Sequence, residues 1–415
     1  MSIVPEIQYS DDCLTIPGMA TAHSHAFQRA LRGRTQKRST AAGSFWSWRG
    51  LMYDLVRRVT PQDMYAIARF AYTELAMSGV TAVGEFHYVH HDRDGQAYAE
   101  RTELAEGVIR AARDTGIRIC LIRTAYMRGG FQKEIEPSQL RFCDESVAHV
   151  INDVEKLKTA YAADPFVTVA VAAHSIRAVP LPSVTDLSTY ASENSLPFHM
   201  HVCEQRRELA ECIEEHGTTP VSVLADAGVL SPSFVGVHAT HLSTDEIAQI
   251  GRAQSLVCLC RTTERDLGDG LPQTSDLILA GARICVGVDS HAAENAFEEI
   301  RAVELDERSR REIRHAALDA DELLEAATRT GYEACGMLSN VGEDLVVLDG
   351  RDPSIAGMDH RHVSDCVVFG ASPRAVKTVT VGGRIVVDSG IHVAYQEAYE
   401  GYLSALARLG LNKVM

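Results

Sequence analysis

Histidines and acids close several short apolar runs of this 415-residue chain, where imidazole or charged groups are expensive to bury unless paired or coordinated. One run ends in His23-Ser24-His25. Two histidines separated by one residue project to the same side of an extended chain, so both rings can reach one cation. Another ends His199-Met200-His201-Val202-Cys203-Glu204. A third ends at His238, with His241 three residues on, and a fourth closes in Gly287-Val288-Asp289-Ser290-His291. His-x-His alone is a weak signal; such endings gathered on one rim point to a metal site.

The runs that would position these groups are 17–22, 80–86, 117–123, 167–173, 197–202, 234–239, 255–260 and 283–289. They are apolar on both parities, as in parallel strands covered on both faces. Helical patterns lie between them. Thr60-Pro61 opens one that runs towards Met77, with Gly79 as a stop; another spans 102–115 and stops at Gly116. Ser243 and Glu246 have capping-box spacing. Strand–helix units in this series predict a (β/α)8 TIM-type barrel over 17–339, whose chemistry gathers at the C-terminal strand ends. A doubly wound open sheet is the competing arrangement, but no Gly-x-Gly-x-x-Gly follows the first strand. After a helical stretch at 321–335 come short β-branched segments at 344–348, 365–369, 376–381 and 384–387. With residues 1–16 they predict a small β-sandwich-like domain, 1–16 plus 340–392. A final helix near 396–409 lies in a closing segment, 393–415.

Bulk properties narrow the partners. A formal net charge of −16 argues against nucleic acid and anionic membranes, where basic surfaces supply affinity. No apolar stretch is long enough to span a bilayer, and residues 1–10 have neither a basic start nor an apolar signal core. The ten cysteines are scattered without a C-x-x-C pair, as expected of buried free thiols in a reducing compartment. The cytoplasm is the expected location.

The strand endings resemble the amidohydrolase superfamily: His-x-His after strand one, His after strands five and six, Asp after strand eight. The resemblance spans nearly the whole chain. It implies that His23, His25, His201 and Asp289 bind the metal, with His238 close by. Strand four ends in Ala172-Ala173-His174, with no lysine that could be carbamylated to bridge two metals. One Zn2+ is therefore expected, since three imidazoles and a carboxylate with an open water position suit that ion. His201 and Glu204 fit a His-x-x-Glu in which the Glu shuttles protons. His199, on the same face but deeper, is expected to be a hydrogen-bonded core residue.

A finer resemblance is to the formimidoylglutamate deiminase family. It is carried by Pro17-Gly18-Met19, His23-Ser24-His25-Ala26-Phe27-Gln28-Arg29-Ala30, Phe45-Trp46-Ser47-Trp48-Arg49 and Gly84-Glu85-Phe86-His87-Tyr88. His174-Ser175-Ile176-Arg177, His238-Ala239-Thr240-His241, Cys260-Arg261-Thr262-Thr263-Glu264 and Leu267-Gly268-Asp269-Gly270 complete it. It implies hydrolysis of N-formimino-L-glutamate to N-formyl-L-glutamate and ammonia, with substrate roles for Gln28, Arg49, Tyr88, His174 and Arg177. A glutamate derivative carries two carboxylates, and arginine grips carboxylates best through its planar fork. Arg177 directly follows strand four; Arg49 falls in a Trp-flanked loop where a lid could form. In the implied reaction Asp289 takes a proton from the attacking water, Glu204 protonates the departing nitrogen and His238 stabilises the tetrahedral centre.

His87, His90 and His91 read as solvated loop residues, and His291 as a neighbour of the metal Asp. Ser24, Ser175 and Ser290 have no nucleophile-elbow surroundings. The chain departs from the expected Cys-Pro-Thr-Thr-Glu at Arg261, which could alter the loop or the charge at the pocket mouth. The short segment before Pro17 makes the small domain lean on its C-terminal half. Competing readings are a deaminase of another N-formimino amino acid or of a purine- or imidazolone-type heterocycle, and a non-catalytic dicarboxylate-binding barrel. The expected partner is a small anionic amidine, and the expected assembly a homodimer.

Overall fold

The structure, a computed structural model, describes residues 7–10, 12–37 and 45–411. Of the expected domain ranges, residues 1–6, 11, 38–44 and 412–415 lie outside the described ones. Strands β1 (Gln8–Ser10) and β2 (Cys13–Pro17) open the chain. Eight more follow in sequence: β3 (Met19–Ser24), β4 (Val80–His87), β5 (Arg118–Ala125), β6 (Val167–Ala173), β7 (Phe198–Val202), β8 (Phe234–His238), β9 (Leu256–Leu259) and β10 (Arg283–Val286). These eight pair in parallel in chain order. Every residue of β4 and β5 is buried, the signature of a sheet covered on both faces.

The barrel closes beyond the ladder. Asp289 N donates to His23 O (3.0 Å), His25 N donates to Asp289 O (2.9 Å), and Val288 N donates to Thr21 Oγ1 (2.8 Å). The predicted first strand, 17–22, is displaced. Pro17 ends β2, and the chain turns at Gly18 before β3 begins. A Cβ on Gly18 would sit 2.2 Å from Thr81 Oγ1 and 2.9 Å from Asp344 Cβ, so only glycine passes this corner.

The helix starts follow their signals. Pro61–Met77 begins on a Thr60–Asp63 capping box with proline in its first turn. Glu103–Thr115 ends on Gly116 at φ 84°, and Thr244–Arg252 begins on the Ser243–Glu246 box. The stretch 321–335 divides at Thr328 into Ala320–Ala327 and Arg329–Ala334.

A second sheet is antiparallel, in the order β1-β2-β11-β12-β13-β14. Its last four strands are β11 (Leu345–Asp349), β12 (Val376–Val381), β13 (Arg384–Asp388) and β14 (Ile391–His392). The strand expected at 365–369 is instead helical, in Val363–Asp365 and Cys366–Gly370. Val367 and Val368 are both fully buried, which a one-sided strand cannot achieve for consecutive residues. Arg301, on the helix Ala296–Arg311, donates to the carbonyls of Phe369 (3.3 Å) and Ala371. Tertiary packing here overrides β-propensity.

The helix Tyr395–Arg408 lies on Pro61–Met77, with Tyr402 stacked on Phe70 (centroids 4.7 Å apart) and Arg408 donating to Asp63 (2.7 Å). All ten cysteines are free thiols. Among the described residues no helix is long and apolar enough to cross a membrane.

Candidate metal centre and substrate pocket

The end of β3 and its following residue bring His23 and His25 together, with Nε2 atoms 3.2 Å apart. The end of β7 adds His201, whose Nε2 is 3.1 Å from that of His23. Asp289, just past β10, places Oδ1 3.3 Å from His25 Nε2 and 3.6 Å from His23 Nε2. The outer nitrogens fix the tautomers. His25 Nδ1 donates to Phe86 O and His201 Nδ1 donates to His174 O, each at 3.0 Å. Their Nε2 atoms are therefore bare acceptors, and His23 can offer a hydrogen to only one of them.

Burial lowers all three imidazoles, with neighbouring histidines adding to it. His25 is pushed down to about 3 even though Asp289 opposes the shift, and His23 and His201 fall well below the usual range. Neutral rings with converging lone pairs beside a carboxylate are what a borderline cation requires. The donor set fits a metal ion, and His23, His25, His201 and Asp289 form a candidate His/Asp metal site.

His238 faces this group, its Nε2 3.8 Å from Asp289 Oδ2. Its Nδ1 donates to Glu264 (3.2 Å). Burial would lower this ring, but Glu204, the bond to Glu264 and the charge of Asp289 outweigh it and push it up to about 10. His238, Cys260 and Asp289 also have ligand atoms within 4.8 Å of one another. Burial holds the Cys260 thiol well above its usual range, so it contributes no charge. Glu204 borders the pocket, and burial raises its carboxyl well above the usual range, with Asp269, Asp289 and Glu208 adding to the rise against His238.

A cavity opens from these groups and is lined by His25, His201, Glu204, His238 and Asp289 at one end. Gln28, Arg49, Tyr88, His174 and Arg177 all line it as well. Gln28 Nε2 donates to the Tyr88 hydroxyl (3.0 Å), leaving its buried Oε1 without a partner. His174 Nδ1 is 3.2 Å from Ser175 Oγ, and its ring stands edge-on to Tyr126 (5.0 Å) and Tyr88 (5.4 Å).

Arg49 does not lie in a loop. It belongs to the helix Phe45–Val56, which covers the cavity with Phe45, Trp48, Met52 and Tyr53. Its guanidinium lies over the rings of Trp46 (5.4 Å) and Tyr53 (5.0 Å) and donates to the Tyr53 hydroxyl (2.5 Å). Arg177 is 8% exposed and its Nη1 has no hydrogen-bond partner. Among the described residues neither arginine is paired with a carboxylate.

Several expectations change. His87, His90 and His91 are buried, at 2%, 3% and 6% exposure. His87 is the last residue of β4, with no partner for its Nε2 among the described residues, whereas the segment Pro137–Phe142 packs over His90 and His91, whose backbone and rings are tied to Arg141 O, Thr124 O and Cys143 O. Arg261 does not reach the pocket mouth. It is 1% exposed and lies between Glu264 and Asp306. His199 is a core residue whose Nε2 donates to Ala334 O (2.8 Å). His291 backs the site through Ser24 Oγ (2.9 Å).

Two acids escaped the sequence reading. Glu264 carries His238. Glu85, on β4, accepts from Ser24 Oγ (2.6 Å) and Ala26 N (2.9 Å), so it grips the segment that presents His25. Both stand inside quoted motifs, but their roles need the barrel's geometry. The backbone also departs from the ordinary at the rim. Cys203, His238, Ala239, Asp289 and His291 all have φ between 51° and 72°, a region that costs L-residues energy and clusters at functional sites.

Known proteins share this plan. A model of the amidohydrolase family matches residues 14–386. The chain is 34% identical over 406 residues to formimidoylglutamate deiminase of Pseudomonas aeruginosa, covering 95% of this chain and 89% of that protein. It is 25% identical over 387 residues to 5'-deoxyadenosine deaminase of Methanoregula boonei, covering 90% and 79%. Among solved structures, an amidohydrolase from Brucella melitensis matches with a TM-score of 0.89 and 31% identity, over 95% of this chain and 89% of that one. A zinc-bound adenosine deaminase from Xanthomonas campestris matches with a TM-score of 0.80 at 19% identity, over 96% and 86%, a likeness of fold.

Proposed function

Because the chain belongs to the amidohydrolase family, we propose that it is a zinc-dependent hydrolase that converts N-formimino-L-glutamate to N-formyl-L-glutamate and ammonia. The observation that carries the substrate is a pair of arginines, Arg49 and Arg177, lining a cavity that ends at the candidate metal site, neither of them in an ion pair with a carboxylate among the described residues. Arg177 is buried with Glu208 and Glu204 acting on it only at a distance and its Nη1 unpartnered, and a ligand carboxylate would supply the direct contact it lacks.

His23, His25, His201 and Asp289 would hold one Zn2+. When bound, zinc supplies Lewis-acid activation of water and of the formimino group. The chain's residues supply the rest. Arg49 and Arg177 bind the carboxylates and the Gln28–Tyr88 pair orients the amidine. Asp289 accepts the proton released by the attacking water. His238 presents Nε2 to the tetrahedral centre while Glu264 holds its other face. Glu204, whose carboxyl is raised by burial, gives one proton to the departing nitrogen and regains one from the hydroxyl of the tetrahedral centre, while the proton taken up by Asp289 completes the ammonia, so that one water enters, ammonia leaves and the N-formyl group remains with both acids restored. The helix Phe45–Val56 covers the cavity and limits bulk water. The net charge of −16 supports an enzyme that binds neither nucleic acid nor an anionic membrane, and its free thiols suit a reducing compartment such as the cytoplasm.

The relatives include nucleoside deaminases, which makes a heterocyclic substrate the second reading. A nucleoside offers Arg49 and Arg177 no carboxylate. The deciding experiment gives purified, zinc-loaded protein N-formimino-L-glutamate or 5'-deoxyadenosine and follows ammonia. Release from the amidine alone is expected; release from the nucleoside alone overturns the proposal.

A further inference from the structure

The segment Cys260-Arg261-Thr262-Thr263-Glu264 opens the helix Arg261–Leu267 just past β9, and each polar side chain in it has one structural task. Thr262 donates to Glu299 through its amide (3.1 Å) and its hydroxyl. Thr263 Oγ1 donates to Val288 O (2.9 Å) and accepts from Ser290 N (3.1 Å), bracketing Asp289. Glu264 Oε1 accepts from Cys260 N (3.0 Å) and from His238 Nδ1 (3.2 Å). That leaves Glu264 Oε2, on a side chain with no solvent exposure, and its partner is Arg261 Nη1.

We propose that Arg261 is a positioning residue that fixes the ring of His238 through Glu264. The inference rests on the hydrolytic reading of the site for its kinetic arm only. Arg261 does not border the cavity, so any influence on chemistry must pass through another group. Its guanidinium is anchored at the far side, with Nε and Nη2 donating to Asp306 Oδ2 at 2.8 and 2.6 Å. Asp306 is held in turn by Arg265. A chain of alternating charges thus runs from the exposed Arg265 through Asp306, Arg261 and Glu264 to His238.

The planar fork is the useful property. It binds two acids in one plane and leaves the Glu264 carboxylate no freedom to rotate. With Oε1 held on the Nδ1 side, the imidazole must carry its hydrogen there and turn Nε2 toward Asp289, 3.8 Å away. Without Arg261, Oε2 becomes a buried acceptor with no donor, and Glu264 can turn away from His238.

The test uses zinc-loaded Arg261→Met, Arg261→Lys and Glu264→Gln proteins and the Arg261→Met/Glu264→Gln double variant. The ring nitrogens of His238 are observed by NMR with 15N-labelled histidine, assigned by comparison with His238→Asn. In Arg261→Met the His238 Nδ1–H signal is expected to shift and broaden while bound zinc stays stoichiometric. Turnover is expected to fall about 10- to 100-fold with KM changed less than about twofold. Arg261→Lys, reaching one acid but not both, should recover part of both readouts, and the double variant should be no worse than Glu264→Gln alone. An unmoved His238 signal, or losses that multiply in the double variant, overturns the proposal. If Arg261→Met does not fold, Arg261→Lys decides: a wild-type signal and turnover there also overturn it. A wild-type protein that releases no ammonia from the amidine would instead refute the substrate reading, and the NMR arm, which needs no substrate, would still decide the role of Arg261.

Discussion

Arg177 is enclosed on nearly every side, yet one of its nitrogens has no acceptor. Such a group is tolerable in the free protein and valuable once an anion arrives. Arg177→Ala should therefore lower kcat/KM for the amidine about 100-fold or more while zinc content stays unchanged. Equal loss of zinc and activity would remove the arginine from carboxylate recognition. Glu204→Gln keeps the shape of the side chain and removes its proton; turnover should fall about 100- to 10,000-fold, and near-normal turnover would end the shuttle role. The convergence of His23 and His25 in the candidate metal site was legible because a two-residue period and strand-end position already place the two rings side by side. Glu264 was not. Its meaning depends on His238, which comes from a different strand and meets it only when β8 and β9 pair. His90 and His91 differ for the opposite reason, since nothing local announces that Pro137–Phe142 will pack over them, and His87 differs because β4 runs one residue past the apolar run that marks it.

At the scale of elements, the seam between β3 and β10 matters most, because no regular ladder joins them. Ser24 bridges it: its hydroxyl donates to Glu85 and lies 2.9 Å from His291 Nε2, two residues past Asp289. Glu85→Ala should weaken zinc retention about 10- to 100-fold in a chelator competition, whereas unchanged retention would leave Glu85 a packing residue. A second joint lies where the helix Ala296–Arg311 meets Thr262. Burial pushes the Glu299 carboxyl there up to about 8, with the Thr262 bonds opposing. Its folded pKa is raised, so the folded state holds a proton that the unfolded chain releases near 4.5. The resulting stability is present below that pH and is lost as pH rises through about 8. Melting curves at pH 5.5 and 9 should show Glu299→Gln gaining several degrees on the wild type at the higher pH; a gap constant with pH would contradict the shift. The barrel strands and capped helices were readable because period, capping residues and glycine stops agreed. The run 365–369 failed because β-branched composition cannot report that two consecutive valines will both be buried.

For the whole molecule, Asp344 ties the small sheet to the barrel. It accepts from Arg118 Nε (2.8 Å) and Nη2 (2.9 Å), from the Tyr332 hydroxyl (2.6 Å) and from Gly382 N (2.8 Å). Asp344→Ala leaves a buried guanidinium without its main partner and should destabilise the fold by about 3–5 kcal/mol. Denaturant titration measures this, and a loss below about 1 kcal/mol would show the contact to be peripheral. Turnover of the amidine by the folded fraction should be unaffected.

The left-handed backbone at Cys203, His238, Ala239, Asp289 and His291 has an evolutionary consequence. At roughly 1 kcal/mol each, these positions together cost an amount comparable with a domain's entire margin of about 5–15 kcal/mol. Glycine is the cheap remedy at each of them, and a lineage bred only for endurance in heat would drift toward it, at Ala239 first, where no ligating side chain is lost. Such descendants would gain toughness and lose the rigid aim of the neighbouring ring, so heat tolerance and turnover should trade against one another along this short stretch of rim.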